Sequence, residues 1–364
     1  MPLDPAAPRF ARQRVLDGFG ASAQERLAAA HVVVVGAGGL GSAVLPAIVG
    51  AGVGTITIVD DDTVDASNLH RQTLHRAKDV GRLKVESAAE ALRAMSPDTV
   101  IHPVAERFTG RNALDLLLDA DLLIDGSDNA PTRYLCNDIA AVRGIPLVWG
   151  SAVRYTGQAG VAWDERGVDY RDLFPEAPDA ESLSCELVGV LPPVCTVIGG
   201  VMAAEAIKLL TGIGEPLLGR VAIFDARSGG MREVRYEREP GVARPGSIEE
   251  RTAERELDGS TSIDSPALAA ELAGDQPPML IDVREPHEHS FVALPGSTLI
   301  PLRDVLAGVD PLDRDADIVL YCHHGVRSGQ ALASMQTLGF TRVRHLTGGI
   351  DAYARAVDPA MPRY

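Results

Sequence analysis

The chain has 364 residues, which at about 150 residues per domain indicates two domains. Hydrophobic residues make up 46% and charged residues 23%, a balance too apolar for intrinsic disorder. The formal charge of −16 argues against nucleic acid or an anionic membrane as the main partner, because both attract basic surfaces. The segment 1–14 lacks the apolar run of a signal peptide, and we expect a cytoplasmic protein.

The first predicted elements form a strand–helix–strand unit. Segment 32–59 carries no charge over 28 residues, enough to span a bilayer, but seven glycines and Pro46 interrupt it. Four consecutive valines predict a buried strand, 41–49 predicts a helix of small residues, and 55–59 predicts a second strand. This order is typical of a βαβ unit in a parallel sheet and not of a membrane span.

Strands and helices continue to alternate along the chain. Further strands are predicted at 100–104, 122–124, 146–149, 221–224 and 231–236. Helices are predicted at 80–95 and 131–142, and the apolar stretch 187–210 is helical in character. The pattern predicts an α/β fold with a Rossmann-like doubly wound sheet.

Apolar periodicity stops between Arg238 and Asp264, where Glu, Arg, Gly and Ser dominate. We therefore predict a first domain at 1–245, a linker at 246–263 and a smaller α/β domain at 264–364. In the smaller domain the sequence predicts strands at 279–283 and 318–321, and helices near Leu302 and at 328–338.

A glycine-rich turn directly follows the first strand and opens a helix. Its glycines are Gly36, Gly38, Gly39 and Gly41. Glycines let the backbone approach a phosphate, and a helix N-terminus offers free N–H groups and partial positive charge. Asp60 ends the next strand, where an acidic side chain accepts from ribose hydroxyls. These features predict a nucleotide site, and NAD is the default ligand for this pattern.

The residues that follow change this interpretation. Ser67-Asn68-Leu69-His70-Arg71-Gln72 comes after Asp60, and Lys84 and Asp128-Asn129 follow in order. Since the chain has only three lysines, a lysine at a stated position is improbable by chance. On these motifs, residues 8 to about 245 resemble the molybdopterin-synthase/thiamine sulfur-carrier adenylyltransferases, bacterial relatives of ubiquitin-activating enzymes.

The resemblance implies an ATP site and a homodimer. The implied nucleotide-binding residues are the four glycines of the turn, Asp60, Ser67, Asn68, Leu69, His70, Arg71, Lys84, Asp128 and Asn129. Arg12 would reach into the site of the partner subunit. Carboxylate adenylation develops negative charge on the α-phosphate and on pyrophosphate, which cations such as Arg71, Lys84 and Arg12 stabilise. Asp128 offers the carboxylate oxygen that Mg²⁺ prefers. For each of these side chains the alternative is a surface ion pair.

The chain departs from the family at the metal positions. Family members often carry two C-x-x-C zinc pairs, but the matching places here hold Asp169-Tyr170-Arg171-Asp172 and Val242-Ala243-Arg244-Pro245. The second set offers no ligand. We therefore expect no zinc, and other packing must hold the segment near residue 170.

A second motif, Cys322-His323-His324-Gly325-Val326-Arg327-Ser328, follows a predicted strand and leads into a helix. Such a loop places the sulfur over backbone N–H groups and favours the thiolate. Tyrosine phosphatases place five residues between Cys and Arg, whereas four stand here, giving a tighter loop suited to a persulfide. With the flanking motifs 282–285 and 348–353, residues from about 264 to 364 resemble a rhodanese domain. This resemblance makes Cys322 the persulfide carrier and Arg327 its electrostatic support.

The other cysteines are assigned from their surroundings. Cys185 precedes the Pro192-Pro193 break, where the family places a cysteine that bonds covalently to the carrier protein. A bystander thiol is the alternative there. Cys136 and Cys195 lie within apolar helical patterns and are interpreted as core residues.

The resulting hypothesis is a two-step enzyme. The first domain adenylates the C-terminal Gly-Gly of a ubiquitin-like sulfur carrier with ATP and Mg²⁺. The rhodanese domain then delivers sulfur from Cys322, drawn from thiosulfate or a cysteine desulfurase, to form a thiocarboxylate, and an acyl disulfide with Cys185 would link the steps. The alternatives are an NAD-dependent oxidoreductase and a non-catalytic carrier-binding scaffold. Sequence leaves open whether the product serves molybdopterin, thiamine, cysteine or tRNA thiolation.

Overall fold

The computed structural model of the chain describes residues 3–175, 189–238, 261–274, 276–308, 312–323 and 325–362. Two compact units are present, Met1–Glu254 and Arg255–Tyr364. Most of the predicted linker lies outside the described residues. Its last two residues, Ser262–Ile263, form a strand in the sheet of the second unit. The second unit therefore begins earlier than residue 264, where the sequence analysis placed it.

The first unit is built on an eight-stranded sheet. Its strands are β1 (His31–Val35), β2 (Thr55–Val59), β3 (Val100–Val104), β4 (Leu122–Asp125), β5 (Leu147–Val153), β6 (Thr156–Ala162), β7 (Arg220–Asp225) and β8 (Gly230–Arg235). The order across the sheet is β3-β2-β1-β4-β5-β6-β7-β8. The first five strands in this order are parallel, and β6, β7 and β8 continue the sheet with antiparallel pairing.

Helices cover both faces of this sheet. They are α1 (Ala11–Arg14), α2 (Gly20–Ala29), α3 (Gly39–Ala51), α4 (Lys84–Met95), α5 (Ala113–Leu116), α6 (Ala130–Arg143), α7 (Tyr170–Leu173) and α8 (Pro192–Thr211). Val32 and Val34 of β1 pack into the core beneath α3, α4 and α8. Val33 and Val35 pack into a separate core beneath α5, α6 and α7. Burial on both faces explains why β1 is continuously apolar, and the predicted doubly wound class is confirmed.

The helix α8 is long and apolar enough to cross a membrane, with a mean hydropathy of 1.6 over its best window. In the structure it packs against α3, β5 and β6. Val194, Ile198 and Met202 on this helix are fully buried in the first core. Its apolar character is therefore accounted for by the interior of the first unit.

Strand order places the candidate site. The chain runs outward from β1 to β2 and β3 on one side, and β4 continues on the other side of β1. Ligands of open α/β sheets bind at such a reversal, outside the carboxyl ends of the strands. The glycine-rich loop, Asp60 and Asp125 all stand at this edge, because they end or follow β1, β2 and β4.

The second unit has a smaller parallel sheet. Its strands are β9 (Ser262–Ile263), β10 (Met279–Asp282), β11 (Thr298–Leu299), β12 (Ile318–Tyr321) and β13 (Val343–Leu346), in the order β11-β10-β12-β13-β9. Its helices are α9 (Ser265–Leu272), α10 (Pro286–Phe291), α11 (Leu302–Ala307), α12 (Val326–Thr337) and α13 (Gly349–Ala356). Alternate residues of the central strand β12 enter two separate cores, one on each face. Cys322 directly follows this strand.

Candidate functional site

The loop 36–41 joins the end of β1 to the start of α3. Gly36 has φ +94°, and a Cβ on it would lie 2.9 Å from the backbone carbonyl of Gly126. A Cβ on Gly41 would lie 2.1 Å from the carbonyl oxygen of Gly36. Both positions therefore require glycine, and the backbone turns tightly onto the N-terminus of α3. Phosphate groups bind in this arrangement, because the first N–H groups of a helix have no partner within the helix.

The peptide group of Ala37 in this loop is held on both sides. Its N–H donates to Asp60 Oδ2 at 2.8 Å, and its carbonyl oxygen lies 2.9 Å from His75 Nε2. The other ring nitrogen of His75 lies 2.9 Å from Ser87 Oγ. Because a carbonyl oxygen only accepts, Nε2 carries the proton, and the hydroxyl of Ser87 has both His75 Nδ1 and the carboxylate of Asp79 as hydrogen-bond partners. Burial lowers the pKa of His75, which favours this neutral form.

His75 and Ser87 support the loop through these hydrogen bonds, and the sequence analysis did not predict either contact. His75 stands three residues after Gln72, beyond the end of the recognised motif, and Ser87 lies one turn into α4. Both side chains are buried. A buried histidine and serine give no signal in spacing, because their partner is a backbone carbonyl brought near only by folding.

Asp60 has the position that the sequence predicted, directly after β2. Besides Ala37, it accepts the N–H of Asp62 at Oδ1, at 2.9 Å. Burial raises the pKa of Asp60, and the charge of Lys84 opposes that shift. Each carboxylate oxygen keeps a further lone pair for a ribose hydroxyl, so the predicted nucleotide contact is compatible with these bonds.

Lys84 is the first residue of α4 and is only 7% exposed. Its Nζ lies 2.7 Å from Asp62 Oδ2. Burial opposes the charge of this lysine, but the carboxylates of Asp60 and Asp62 outweigh burial and raise its pKa. Asp128 acts in the same direction from the next strand end. A permanently cationic, largely buried ammonium group therefore lies beside Asp60.

The segment after β2 brings Arg71 to the loop. A capping box formed by Asp65 and Asn68 holds the short helix Ala66–Asn68. The carbonyl of Ser67 accepts from His70 Nδ1 at 2.8 Å and from Arg71 Nη1 at 3.3 Å. The Cγ of Arg71 lies 3.6 Å from the point where a Cβ on Gly39 would stand. Ser67 and His70 are exposed, and Asn68, Leu69 and Arg71 are half-buried.

Asp128 and Asn129 follow β4 on a turn held by Asp125. The buried carboxylate of Asp125 accepts from the N–H of Ser127 at 2.9 Å and from Arg133 Nε at 2.8 Å. Asn129 caps α6, since its Oδ1 accepts the N–H of Thr132 at 2.9 Å. Asp128 is exposed. The turn therefore presents Asp128 to solvent beside Lys84, whereas the amide oxygen of Asn129 serves its own helix.

Arg12 lies in α1 and is exposed. Within the described residues it has no hydrogen-bond or ion-pair partner. Val15 and Leu16, which follow it, are 77% and 58% exposed. The predicted reach of Arg12 into a partner subunit stays a prediction, and these neighbours offer apolar surface beside it.

Hydrogen bonds and aromatic packing hold the segment at the first of the two places where the family often carries a C-x-x-C pair. Asp169 caps α7 by accepting the N–H groups of Arg171 and Asp172. Arg171 forms two hydrogen bonds, at 2.8 and 2.6 Å, with the buried carboxylate of Asp138. Tyr170 packs edge-on against Trp149, with ring centroids 5.0 Å apart. These carboxylates already have partners, so the donor set does not fit zinc. The second zinc position, 242–245, lies outside the described residues, as does Cys185.

In the second unit the thiol of Cys322 is held by its own loop. The N–H of Gly325 points at Sγ at 3.1 Å, and Ser328 Oγ lies 3.6 Å from it. Gly325 has φ +96° and precedes α12. Cys322 is 1% exposed. The cysteine, loop and helix N-terminus thus come together as the sequence predicted, with His324 outside the described residues.

Arg327 contacts a carboxylate that the sequence analysis missed. Its Nη1 and Nη2 lie 2.6 and 2.7 Å from the two oxygens of Glu288, and both side chains are about one-tenth exposed. The motif at 282–285 has a structural role, because Asp282 binds the buried guanidinium of Arg284 through two hydrogen bonds. Electrostatic support of a persulfide by Arg327 stays a prediction, since its charge here is balanced by Glu288.

Cys136 and Cys195 are buried, in agreement with the predicted core positions. Burial raises the pKa of both thiols. A Cβ on Gly39 would lie 2.9 Å from Cys195 Sγ. Cys195 therefore packs directly beneath the glycine-rich loop, a position that no local sequence pattern predicts.

Comparison with known proteins identifies both units. The ThiF family profile matches residues 10–243, and the rhodanese-like domain profile matches residues 265–356. The crystal structure of E. coli MccB with ATP is similar in fold, with a TM-score of 0.57 and 20% identity over 67% of this chain and 76% of that one.

Curated relatives span nearly the whole chain. The probable adenylyltransferase/sulfurtransferase MoeZ of Mycobacterium tuberculosis is 41% identical over 372 residues, 98% of this chain and 95% of the relative. The adenylyltransferase and sulfurtransferase UBA4 of Meyerozyma guilliermondii is 34% identical, with 98% and 90% covered. The sulfur carrier protein adenylyltransferase of Thermus thermophilus is 44% identical over 238 residues, 64% of this chain and 88% of the relative.

These relatives agree with the enzyme class expected from the sequence and support neither the oxidoreductase nor the scaffold alternative. The chain belongs to the ThiF family and carries a rhodanese-like domain after the ThiF domain.

Proposed function

We propose that this chain adenylates the C-terminal glycine of a ubiquitin-like sulfur-carrier protein with ATP and then places sulfur on the activated carbon. One observation carries the first half of this proposal. A phosphate-type loop that excludes side chains lies at the same sheet edge as the buried, cationic Lys84 and as Arg71. Hydride transfer develops no new charge on the phosphates, whereas adenylation develops the negative charge that these two cations would stabilise.

In the adenylation step, a carboxylate oxygen of the carrier attacks the α-phosphorus. The bond to the bridging oxygen breaks, and pyrophosphate leaves with the electron pair. Lys84 and Arg71 stabilise the charge that develops on the phosphate oxygens, and Asp60 receives the ribose. These side chains are positioned before the reaction by Asp62, Ser67 and Ala37 respectively.

Magnesium fits the oxygen donors at this edge. Asp128 is exposed beside Lys84, and the carboxylates of Asp60, Asp61 and Asp62 offer oxygens within 4.8 Å of one another. Mg²⁺ binds through one or two carboxylates together with substrate phosphates, and Asp128 is our candidate ligand. When bound, the ion neutralises phosphate charge.

The enzyme is proposed to act as a homodimer in the cytoplasm. Arg12 would then supply a third cation to the partner's phosphates, which suits its exposure and the apolar surface of Val15 and Leu16 beside it. The carrier, and with it the pathway among molybdopterin, thiamine, cysteine and tRNA thiolation, is to be identified by capturing the thiocarboxylated product.

In the sulfur-transfer step, the Cys322 thiolate attacks the outer sulfur of thiosulfate, and sulfite leaves with the electron pair of the broken S–S bond. A cysteine desulfurase is the other proposed donor. The terminal persulfide sulfur then attacks the acyl carbon, AMP leaves, and an acyl disulfide forms. A second thiol, for which Cys185 is our candidate, attacks the sulfur bonded to the acyl carbon, so that Cys322 leaves as a thiolate and an acyl disulfide with Cys185 forms. A cellular thiol then attacks the Cys185 side of this disulfide and releases the thiocarboxylate, and another reduces the mixed disulfide that remains.

Carrier-dependent ATP–pyrophosphate exchange tests the proposal. Lys84→Ala and Arg71→Ala should fold normally and lose exchange by roughly 10²–10³-fold, the cost of one lost contact to a developing charge. Lys78→Ala is the matched control, because its exposed pair with Glu90 lies on the surface. Exchange at the wild-type rate in both test variants would overturn the adenylation assignment, and binding of NAD in place of ATP would favour an oxidoreductase.

A further inference from the structure

Two buried side chains lie one behind the other next to the sulfur of Cys322, first a serine and then a histidine. Ser328 Oγ is 3.6 Å from Cys322 Sγ, and His345 Nδ1 is 3.4 Å from the same Oγ. Ser328 is fully buried and His345 is 9% exposed. His345 is brought there from β13, which pairs with β12, the strand that directly precedes Cys322. The proposed function uses neither residue.

The single hydrogen of the serine hydroxyl has three acceptors within reach. They are Cys322 Sγ, the carbonyl oxygen of Gly325 at 3.1 Å, and His345 Nδ1 when that nitrogen carries no proton. A proton on His345 Nδ1 changes this competition. The ring then donates to Ser328 Oγ, and the hydroxyl hydrogen is left for the sulfur or the carbonyl. The histidine tautomer thus decides how often the serine donates to the sulfur.

The ring of His345 also hydrogen-bonds to the backbone of Gly325, and burial lowers its pKa, which favours a neutral ring. A neutral ring has one N–H, and when that N–H is on Nδ1 it donates to Ser328 Oγ and leaves the hydroxyl hydrogen for the sulfur or the carbonyl. Hydrogen bonds to an ionised acceptor are about twice as strong as neutral ones, so the serine gains most when Cys322 is a thiolate.

We propose that His345 and Ser328 are positioning residues that hold a hydroxyl donor on the Cys322 thiolate. The proposal deepens the sulfur-transfer half of the proposed function and rests on it for the role of Cys322. Before transfer, the donor favours the thiolate that attacks the sulfur donor. After transfer, the negative charge lies on the terminal sulfur, and the inner sulfur keeps the serine as a neighbour.

The charged and titratable groups around this loop must stay constant in a test. They are His323 and Arg327 on the loop, Glu288 of α10 against Arg327, and Asp351 of α13, whose N–H donates to the carbonyl of His323. None of them is altered by substitution of Ser328 or His345. A difference between variants therefore reports the hydroxyl donor and its orientation.

The test is the pH dependence of alkylation of Cys322 by iodoacetamide, followed by peptide mass spectrometry on the full chain. In Ser328→Ala and His345→Phe, the pH of half-maximal rate should rise by about one unit, a roughly tenfold slower reaction below that midpoint. Ser328→Thr keeps the hydroxyl, and His345→Asn keeps an N–H donor. Both should remain close to wild type.

A structural role alone would lower the melting temperature and leave the alkylation midpoint in place. Midpoints equal to wild type in both Ser328→Ala and His345→Phe overturn the proposal, as does an upward shift in Ser328→Thr equal to that in Ser328→Ala. Failure of the proposed function is seen separately, as carrier thiolation that persists in Cys322→Ala. Pyrophosphate exchange at the wild-type rate in every variant shows that the ThiF domain is intact.

Discussion

The loop 36–41 of the first unit and the loop 322–328 of the second both join a parallel strand to the N-terminus of a helix. They are held by different means. In the first, the peptide of Ala37 is fixed by side chains from neighbouring elements, Asp60 and His75. In the second, the N–H of Gly325 and the hydroxyl of Ser328, both within the loop, point at the sulfur.

The difference follows from what each loop binds. On the proposed function a nucleotide enters and leaves the first loop, which must therefore keep its shape when empty, and side chains from neighbouring elements supply that rigidity. The second loop carries a covalently attached sulfur, which is always present to accept the N–H and hydroxyl donors. Side chains from outside the loop contact the backbone of the nucleotide loop, whereas at the sulfur loop Glu288 and His345 contact the side chains of Arg327 and Ser328.

The largest effect is expected from Gly41→Ala. The added Cβ would lie 2.1 Å from the carbonyl oxygen of Gly36, which is backbone and has no room to move. The phosphate loop must then open, and pyrophosphate exchange should fall by about 10²-fold or more. Persulfide loading at Cys322 should continue. Exchange rates and thiosulfate-dependent loading measured on one preparation check both statements.

Gly50→Ala is the control for that variant. Gly50 lies in the same helix, is exposed, and has nothing within 4 Å of an added Cβ. Alanine is favoured over glycine inside a helix by about 0.5–1 kcal/mol, so this variant should keep full exchange and gain slightly in stability. Equal exchange in Gly41→Ala and Gly50→Ala would show that the loop geometry is not used for phosphate binding.

Asp138→Ala should produce the next largest effect, on stability. It removes the carboxylate that binds Arg171 through two hydrogen bonds and is itself 1% exposed. Removing one partner of a buried ion pair costs about 3–5 kcal/mol. Glu233→Ala is the matched control, because its pair with Arg220 is half exposed and contributes about 0.2–1 kcal/mol. Denaturant unfolding measures both.

Denaturant unfolding also tests whether zinc stabilises the first unit. Since Arg171 and Asp138 hold the segment where family members place a metal pair, protein purified without chelator should contain clearly less than one equivalent of zinc. Chelator should leave the unfolding midpoint unchanged. Stoichiometric zinc whose removal destabilises the first unit would contradict this account.

Much of the fold follows from the sequence, and the omissions have physical causes. The strand β6 was not predicted because Gly157 and Gly160 interrupt its pattern. A Cβ on Gly157 would lie 2.4 Å from Ile198, and one on Gly160 would lie 2.8 Å from Trp149. These glycines make room for larger side chains from elsewhere in the chain. Only the tertiary fold reveals that requirement.

The helix predicted from residue 80 begins at Lys84, because Gly81 takes φ +87°. Prediction of the nucleotide and sulfur sites is limited in the same way, because some contacts arise only in the tertiary fold. Sequence motifs predicted the residues expected to contact phosphate or sulfur, because these residues stand at characteristic spacings within one strand–loop–helix unit. His75, Glu288 and His345 contact those units from separate elements, and no local pattern marks them.

The contribution of His75 is expected to depend on pH. Its pKa is lowered in the folded state, so between that value and about 6.5 the unfolded chain binds more protons. The stability from neutral His75 is therefore fully present above about pH 6.5 and is lost as pH falls below it. The loss is at most about 1.4 kcal/mol per pH unit. Denaturant unfolding at about pH 7.5 and 5.5 measures it.

Tryptophan fluorescence assigns this loss to the first unit, because both tryptophans of the chain, Trp149 and Trp163, lie there. His75→Gln keeps a donor and an acceptor but does not titrate. Its unfolding should therefore lose less stability on acidification than wild type. An identical pH dependence in both proteins would mean that His75 does not support the loop in its neutral form.

The smallest expected effect concerns the ATP site, where Cys322→Ala should leave pyrophosphate exchange unchanged. Adenylation uses the cations of the first unit and needs no thiol, so carrier-dependent pyrophosphate exchange should remain at the wild-type rate. Thiolation of the carrier with thiosulfate requires a sulfur nucleophile at the acyl adenylate, and it should be lost. Cys136→Ala, which removes a thiol buried in the core beneath α5, α6 and α7, should keep both activities.

Mass spectrometry of the carrier, which detects replacement of oxygen by sulfur, reads out this step. Normal thiolation from thiosulfate by the Cys322→Ala enzyme would remove the sulfur-transfer role of the second unit and leave adenylation standing. Thiolation that survives only with free sulfide fits the proposal, because sulfide attacks the acyl adenylate directly. Loss of exchange in the same variant would instead show that the thiol loop acts on the nucleotide site, and the two loops could then no longer be treated as independent.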